Sequence, residues 1–274
     1  MIRLCLWCAG REIETYMDKT YKTTGIVLKR RDYQENDRLF VIYTRDFGKL
    51  ELLAKGTKKI QSKLNSHLEP FYQVNLMAAK GRGFDKLAGS NLLSSYDKLR
   101  SDNLGFATGC YIIELTDKLL GQGLPDQTIF NLLEQVLIQL DGLVEAESDN
   151  KKERFLFLAN AYALKLLVSL GYQPEIYRCV SCQQGIVLPK NNFHLLSGGL
   201  VCEKCKKICL LEQYLKISDG TIKIFRLVLE QDLAGLAGLK NNLEYIEEFN
   251  RLLKNILLIN LERPINSENF FQYV

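Results

Sequence analysis

Histidine occurs twice and tryptophan once in 274 residues. With His67 and His194 as the whole supply, acid–base schemes built on histidine have little to draw on. No G-x-x-x-x-G-K-S/T phosphate loop, H-E-x-x-H metal helix or G-x-S-x-G nucleophile turn occurs. Gly81-Arg82-Gly83 is a turn and not a dinucleotide fingerprint. Carboxylates such as Glu35 and Asp37 read as surface or strand-end groups ahead of metal ligands. These absences favour a binding protein over an enzyme.

Long apolar runs are also missing. None reaches the roughly 18 residues that cross a bilayer. The best candidates, 155–170 and 252–261, are broken by Asn160, Lys165, Lys254 and Asn255. The apolar stretch 4–9 is too short for a signal-peptide core. The expected location is the cytoplasm, with no membrane partner. Hydrophobic residues at 47% and charged residues at 25% are ordinary for a globular protein. They exclude collagen, low-complexity disorder and a disulfide miniprotein. The length predicts two or three domains.

The net charge of +4 is unevenly divided. Residues 20–100 hold 16 Lys and Arg against 8 Asp and Glu. Residues 1–19 are neutral, and 101–274 carry a net −4. One basic segment of about 80 residues points to a polyanion partner. A solvated basic surface is the plainer alternative.

Residues 1–20 do not resemble the start of a domain and are expected to be disordered or loosely docked. Met17 is the expected true start, with 1–16 an upstream extension. From residue 21 to 100 the pattern is β. Short runs rich in β-branched and aromatic residues fall at 24–29, 38–43, 49–54, 71–78 and 86–96, with Asp- and Gly-containing turns between them. Five short strands in about 80 residues suit a small barrel, and the oligonucleotide-binding (OB) fold is the common five-stranded solution.

Beyond Ser101 the period becomes helical. Pro125 is expected in a first helical turn, followed by the apolar face Ile129, Leu133, Val136 and Leu140, with Gly142 as a stop. Phe155, Leu158, Tyr162, Leu166 and Ser169 trace a second face, ended by Gly171. Helices are expected at 219–229, N-capped by Ser218, and at 242–261. Segment 143–154 is polar and reads as a loop. The fold class is therefore α+β: an N-terminal OB barrel at 21–100, then an all-α domain at 101–178 and 210–274.

Between those helical parts lies the sharpest local signal, at 179–209. Cys179-Val-Ser-Cys182 and Cys202-Glu-Lys-Cys205 are separated by 19 residues. Two C-x₂-C pairs at that distance match a zinc site, each pair aiming two sulfurs at one point. Gly185, Pro189, Ser197, Gly198 and Gly199 supply the turns of a zinc ribbon, and Lys204, Lys206 and Lys207 can offset the thiolate charge. Four cysteines leave no open coordination position, so the ion would be structural. Disulfides and plain buried thiols are the alternatives, the former disfavoured in a reducing cytoplasm. His194 and Cys209 are competing ligands expected to stay out. Cys110 reads as a helix core residue, and Cys5 and Cys8 lack a partner pair.

The order of short motifs carries a family resemblance. Thr24-Gly25-Ile26-Val27-Leu28-Lys29 is followed by Tyr33-Gln34-Glu35-Asn36-Asp37-Arg38-Leu39, then Phe47-Gly48-Lys49, Ala54-Lys55-Gly56 and Leu68-Glu69-Pro70-Phe71. With the helical middle, the cysteine module and the closing Glu262-Arg263-Pro264, this series resembles the bacterial RecO DNA repair proteins from about residue 21 onward. The resemblance implies a recombination mediator. Such a protein binds single- and double-stranded DNA and anneals complementary strands. It contacts the tail of single-stranded-DNA-binding protein (SSB) and helps RecR, with RecF as a further partner, to load RecA.

On that reading Lys29, Arg30, Arg31, Arg38, Lys49, Lys55, Lys58, Lys59, Lys63 and Arg82 are the candidate phosphate contacts. The Lys55-Gly-Thr-Lys58-Lys59 run is the best single patch. Tyr33, Tyr43, Phe47 and Tyr72 are candidate base-stacking platforms, with barrel packing as the alternative. Lys151, Lys152, Arg154, Lys165 and Arg178 are candidate rim residues for the SSB tail. The competing function is a zinc-ribbon RNA-binding or translation-associated module. A Mg²⁺-dependent nuclease stands third.

Overall fold

A computed structural model gives the fold and describes residues 20–58, 68–145, 150–187, 191–208, 214–239, 242–261 and 265–267. The expectations for the N-terminal extension, Lys59, Lys63, His67 and Cys209 fall outside those residues. Five strands come first: β1 (Thr20–Tyr33), β2 (Asp37–Thr44), β3 (Gly48–Ala54), β4 (Gln73–Ala79) and β5 (Asp85–Ser94). They close into a barrel in the order β1-β2-β3-β5-β4, the expected OB arrangement. Only the β3–β5 pair is parallel, with Leu52 opposite Asp85. β1 is far longer than the run read at 24–29, because it serves two neighbours. Residues 20–26 pair with β4 and 25–33 with β2, with a register shift between Val27 and Lys29.

Closure turns Val27, Phe40, Ile42, Leu52, Val74 and Leu76 into the barrel interior. Ile26, Leu28, Val41 and Tyr43 are buried as well, in a different core shared with the helices. That is why 26–28 and 39–43 are unbroken apolar runs instead of alternating ones: the wall is covered on both sides. Burying each such side chain stabilises by roughly 1.5–3 kcal/mol.

The helices are α1 (Asp97–Ser101), α2 (Asn103–Leu119), α3 (Gln127–Leu143), α4 (Lys151–Ser169), α5 (Glu203–Ile208), α6 (Asp219–Glu230), α7 (Leu233–Ala237) and α8 (Leu243–Asn260). α4 is the hub, contacting α2, α3, α6, α7 and α8. Its apolar residues run all round, so Ala159, Leu164 and Leu167 are buried along with the expected Phe155, Leu158, Tyr162 and Leu166. Gly171, at φ +88°, follows the end of α4 as expected. Ser218 caps α6 by accepting from the Thr221 amide. Pro125 is displaced from its expected place. Asp126 is the N-cap of α3, accepting from Thr128 and Ile129, so the proline precedes the helix. Gly142 does not end α3, which continues to Leu143. Segment 143–154 is shorter as a loop than expected, since residues 151–154 already belong to α4.

Barrel and helices meet tightly. Tyr43 stacks on Phe130 with ring centroids 6.3 Å apart, and its hydroxyl donates to the Asp126 carbonyl at 3.3 Å. Gly48 sits at φ +67°, and a Cβ there would lie 2.4 Å from the Leu124 backbone. Only glycine satisfies both conditions. Among the described residues no helix is long and apolar enough to cross a membrane.

Candidate nucleic-acid interface and metal centre

Three loops gather at one end of the barrel. The β1–β2 turn spans 34–36, the chain leaving β3 spans 55–58, and the β4–β5 loop spans 80–84. The Lys58 amide donates to the Asn36 carbonyl at 3.2 Å, and the Gly56 amide to Asp37 Oδ1 at 2.8 Å. Gly56 makes this approach at φ +65°. Tyr33, at the end of β1, meets Phe84 edge to face at 5.7 Å, joining the first loop to the third. Asp85 pins the third loop. It accepts from the Tyr21 hydroxyl at 2.7 Å and the Gly81 amide at 3.1 Å, and Lys80 lies 3.2 Å away. Burial raises the Asp85 carboxyl, but Tyr21, Gly81 and Lys80 outweigh it and hold the group below its usual range.

The candidate cations divide into three groups. Lys29, Lys55 and Arg82 are exposed and make no ion pair among the described residues. Arg30 pairs with Glu69, Arg31 with Glu51 at 3.3 Å, and both Arg38 (3.5 Å) and Lys58 (2.8 Å) with Asp32. Lys49 is set apart. Its side chain is 12% exposed, and its ammonium donates to the Asp117 carbonyl at 2.5 Å and to Asp117 Oδ1 at 3.2 Å. It ties β3 to α2, and periodicity could not reveal that, because Asp117 lies 68 residues away.

Of the candidate platforms, Tyr43 is fully buried at the junction with α3. Phe47 lies against Tyr21 at 4.6 Å, and Tyr72 lies under the Arg100 guanidinium at 4.8 Å. Tyr33 is half-buried at the loop end. Sequence reasoning missed Phe84, whose place directly after Gly81-Arg82-Gly83 was the available signal. It also missed Lys22 and Lys86, exposed cations on β1 and β5.

The cysteine pairs converge as their spacing predicts. The Sγ atoms of Cys179, Cys182, Cys202 and Cys205 all lie within 4.8 Å of one another, with Cys182 and Cys202 at 3.9 Å. A tetrahedron with 2.3 Å metal–sulfur bonds has edges of about 3.8 Å. The cluster is thus compatible with a zinc module. Cys179 and Cys182 lie in a turn where the Gln183 amide donates to the Cys179 carbonyl at 2.8 Å. Cys202 and Cys205 sit at the start of α5, so the second pair rests on a short helix. Around it β6 (Asn191–His194), β7 (Gly199–Val201) and β8 (Tyr214–Ile217) form a sheet in the order β7-β6-β8. Burial opposes the Cys179 thiolate, but the amides of Cys202, Cys182 and Ser181 prevail and bring the thiol down to about 6. His194 stays outside the cluster with its Nδ1 against Ser197 Oγ at 2.7 Å. Of the expected charge-offsetting lysines, Lys206 donates to Asn192 and Lys207 pairs with Glu203. Cys110 is half-buried in α2, and burial pushes its thiol up to about 11.

The five candidate rim residues do not form one rim. Lys151 pairs with Asp102 at 2.7 Å and Arg154 donates to the Ala237 carbonyl at 2.9 Å. Lys165 lies about 21 Å further along α4, at 1.5 Å per residue, and burial lowers its ammonium below the usual range. Arg178 belongs to the cysteine module.

The chain matches two family models, "Recombination protein O N terminal" over residues 17–96 and "Recombination protein O C terminal" over residues 100–269. It is 29% identical over 243 residues to the DNA repair protein RecO of Dehalococcoides mccartyi, covering 89% of this chain and 91% of that one. It is 30% identical to the RecO of Pelotomaculum thermopropionicum, covering 92% and 93% respectively. The RecO of a Roseiflexus species is also 30% identical, covering 94% of this chain and 87% of its own.

Proposed function

This chain belongs to the recombination protein O family, a family of DNA repair and recombination, and on that premise we propose that it is a recombination mediator acting by strand annealing. It binds single- and double-stranded DNA, brings complementary strands together, and with RecR helps load RecA onto SSB-coated DNA. RecF and the SSB tail are its further partners, and the nucleoid in the cytoplasm is its place of work. The single observation that carries this reading is the loop end of the barrel, where Tyr33 and Phe84 meet beside Lys55, Lys58 and Arg82.

Annealing needs no bond broken in the protein. Two strands repel through their phosphates, and a surface that neutralises both raises their encounter rate. Apart from Lys49, which is tied to Asp117 at the barrel–helix seam, four of the candidate cations are paired with carboxylates. Exposed pairs are worth only about 0–1 kcal/mol, so a phosphate can displace them. The contact with DNA is therefore an exchange of partners, and it releases condensed counterions whatever the sequence. Tyr33 and Phe84 supply π-faces for unpaired bases, at roughly 1–3 kcal/mol each.

The four cysteines hold one Zn²⁺ as a structural ion. With all four positions filled by sulfur the ion binds no substrate. Bound there, the ion would tie the turn at 179–182 to the start of α5, beside the β7-β6-β8 sheet.

The test is annealing of complementary strands coated with SSB, with and without this protein. Acceleration that falls as salt rises is expected. No acceleration, or a tenfold preference for RNA over matched single-stranded DNA, refutes the reading. The second result favours an RNA-binding module.

A further inference from the structure

Three helices of the second domain stop at one place, and each is C-capped by a leucine: α2 by Leu120, α4 by Leu170 and α8 by Leu261. A cavity of about 540 Å³ opens between these ends, lined also by Leu119, Gly121 and Tyr172. That is the size of a ligand site. No further helical turn follows to cover the last apolar side chains. Tyr172 is 52% exposed, and Leu124, whose Cδ1 lies 3.4 Å from where a Gly121 Cβ would stand, is 69% exposed. An apolar rim of this kind marks a surface that takes an apolar partner.

The chain itself delivers such a partner to the rim. After Leu261 it passes to Ile265 and Ser267, both buried. The Asn266 and Ser267 amides donate to Glu114 Oε1 at 3.0 Å and Oε2 at 2.8 Å, and the Ser267 hydroxyl donates to the same carboxylate. Three bonds to one side chain of α2 fix where the next segment begins. Leu119 and Leu120 lie five and six residues after Glu114, about 8–9 Å along the helix axis at 1.5 Å per residue. Residues 268–274 follow Ser267, outside the described residues. Seven extended residues span up to about 23 Å, so the cavity is within reach. Their sequence is Glu-Asn-Phe-Phe-Gln-Tyr-Val, with Phe270, Phe271, Tyr273 and Val274 as large apolar groups that favour a place out of water. Glu268, the segment's one charged residue, comes first after the anchor, where Lys118 is the one charged residue of the lining. A strongly acidic peptide suits the cavity less well, because the C-terminal end of each helix carries about half a negative charge.

We propose that residues 268–274 of this same chain dock in the cavity, with Phe270 and Phe271 filling the space between the three helix ends. The docked segment joins the ends of α2, α4 and α8, and an outside apolar peptide enters only by displacing it.

The probe is a labelled peptide of sequence 268–274, titrated into full-length protein and read by fluorescence anisotropy. In the wild-type chain the tethered copy is present at an effective concentration of about millimolar, so the free peptide is shut out. Phe270→Ser with Phe271→Ser vacates the cavity and should bind the peptide at least tenfold more tightly than the wild-type chain does. Gly121→Trp plugs the cavity from its wall. Gly121 lies outside the left-handed region, and a Cβ there makes only an ordinary contact with Leu124. Added to the serine pair, it should abolish peptide binding. The serine pair should also lower the thermal midpoint of the wild-type chain and leave that of the Gly121→Trp chain unchanged, since the plugged cavity has no segment to lose. Equal peptide binding by the wild-type chain and the serine variant, or binding by neither, would overturn the proposal. So would peptide binding that survives Gly121→Trp, or an equal fall in thermal midpoint in both backgrounds. An SSB tail peptide that binds the wild-type chain as tightly as the serine variant, and is lost with Gly121→Trp, would give the cavity to a partner and overturn it too.

Discussion

Replacing Asp32 with Asn should tighten DNA binding, and the structure sets the size of the effect. Asp32 is 68% exposed and draws on two cations at once, Lys58 at 2.8 Å and Arg38 at 3.5 Å. The Lys58 hydrogen bond is the main cause holding its carboxyl below the ordinary range. Asparagine keeps the shape and removes the charge. Each single-strand phosphate contact adds about 0.7 to the slope of log affinity against log salt. Two released cations make the slope steeper by at most about 1.4, which at 0.1 M salt is roughly 25-fold in affinity. On the proposed exchange Lys58 leaves Asp32 for phosphate even in the wild-type protein, so the expected gain lies between about threefold and that ceiling. The thermal midpoint should move by no more than about 4 °C, since exposed pairs contribute little. Fluorescence anisotropy of a labelled single strand, titrated from 50 to about 300 mM salt, reads both quantities. Unchanged or weaker binding with an unaltered slope would refute the exchange of carboxylate for phosphate. Lys55→Ala with Lys58→Ala should move affinity and slope the opposite way by a comparable amount.

The other predictions concern stability and metal. Lys49→Ala should lower stability by about 1.5–3 kcal/mol, the range for a hydrogen bond to a charged group, and leave the salt slope of DNA binding unchanged. A reduced slope would return Lys49 to the DNA surface. Cys202→Ser should abolish stoichiometric zinc in metal analysis and speed hydrogen exchange across the β6–β7 sheet; full zinc content in the variant would refute the four-sulfur assignment. Glu114 accepts from the Ser267 and Asn266 amides, the Ser267 hydroxyl and Lys118. Burial opposes its charge, but these donors prevail and bring its carboxyl down to about 2 from 4.5. Because the folded value is depressed, its stabilisation is complete above pH 4.5 and lost as pH falls towards 2. Glu114→Gln should flatten that part of the unfolding curve, and an unchanged pH profile would show that the contact contributes nothing.

The sequence by itself determined what is local. Strand runs, turn residues and the change to helical period placed the five strands and α3, α4, α6 and α8, because side-chain periodicity and cap chemistry act within a few residues. The cysteine quartet was legible for the same reason, since each C-x₂-C pair makes its own turn and needs only one partner pair. Tertiary structure decided which side chains are free. Lys49 and Lys55 are equivalent in the sequence, yet Asp117 engages one and water surrounds the other. Tyr43 and Tyr33 are both strand aromatics, yet α3 covers one, and Phe84 meets the other across the barrel mouth. Asp32 lies 26 residues before Lys58, and Thr24, Asn75 and Asn91 stand in one row only because barrel closure pairs β1 with β4 and β4 with β5. Burial and ion pairing depend on what approaches from distant parts of the chain, and no local window contains that information.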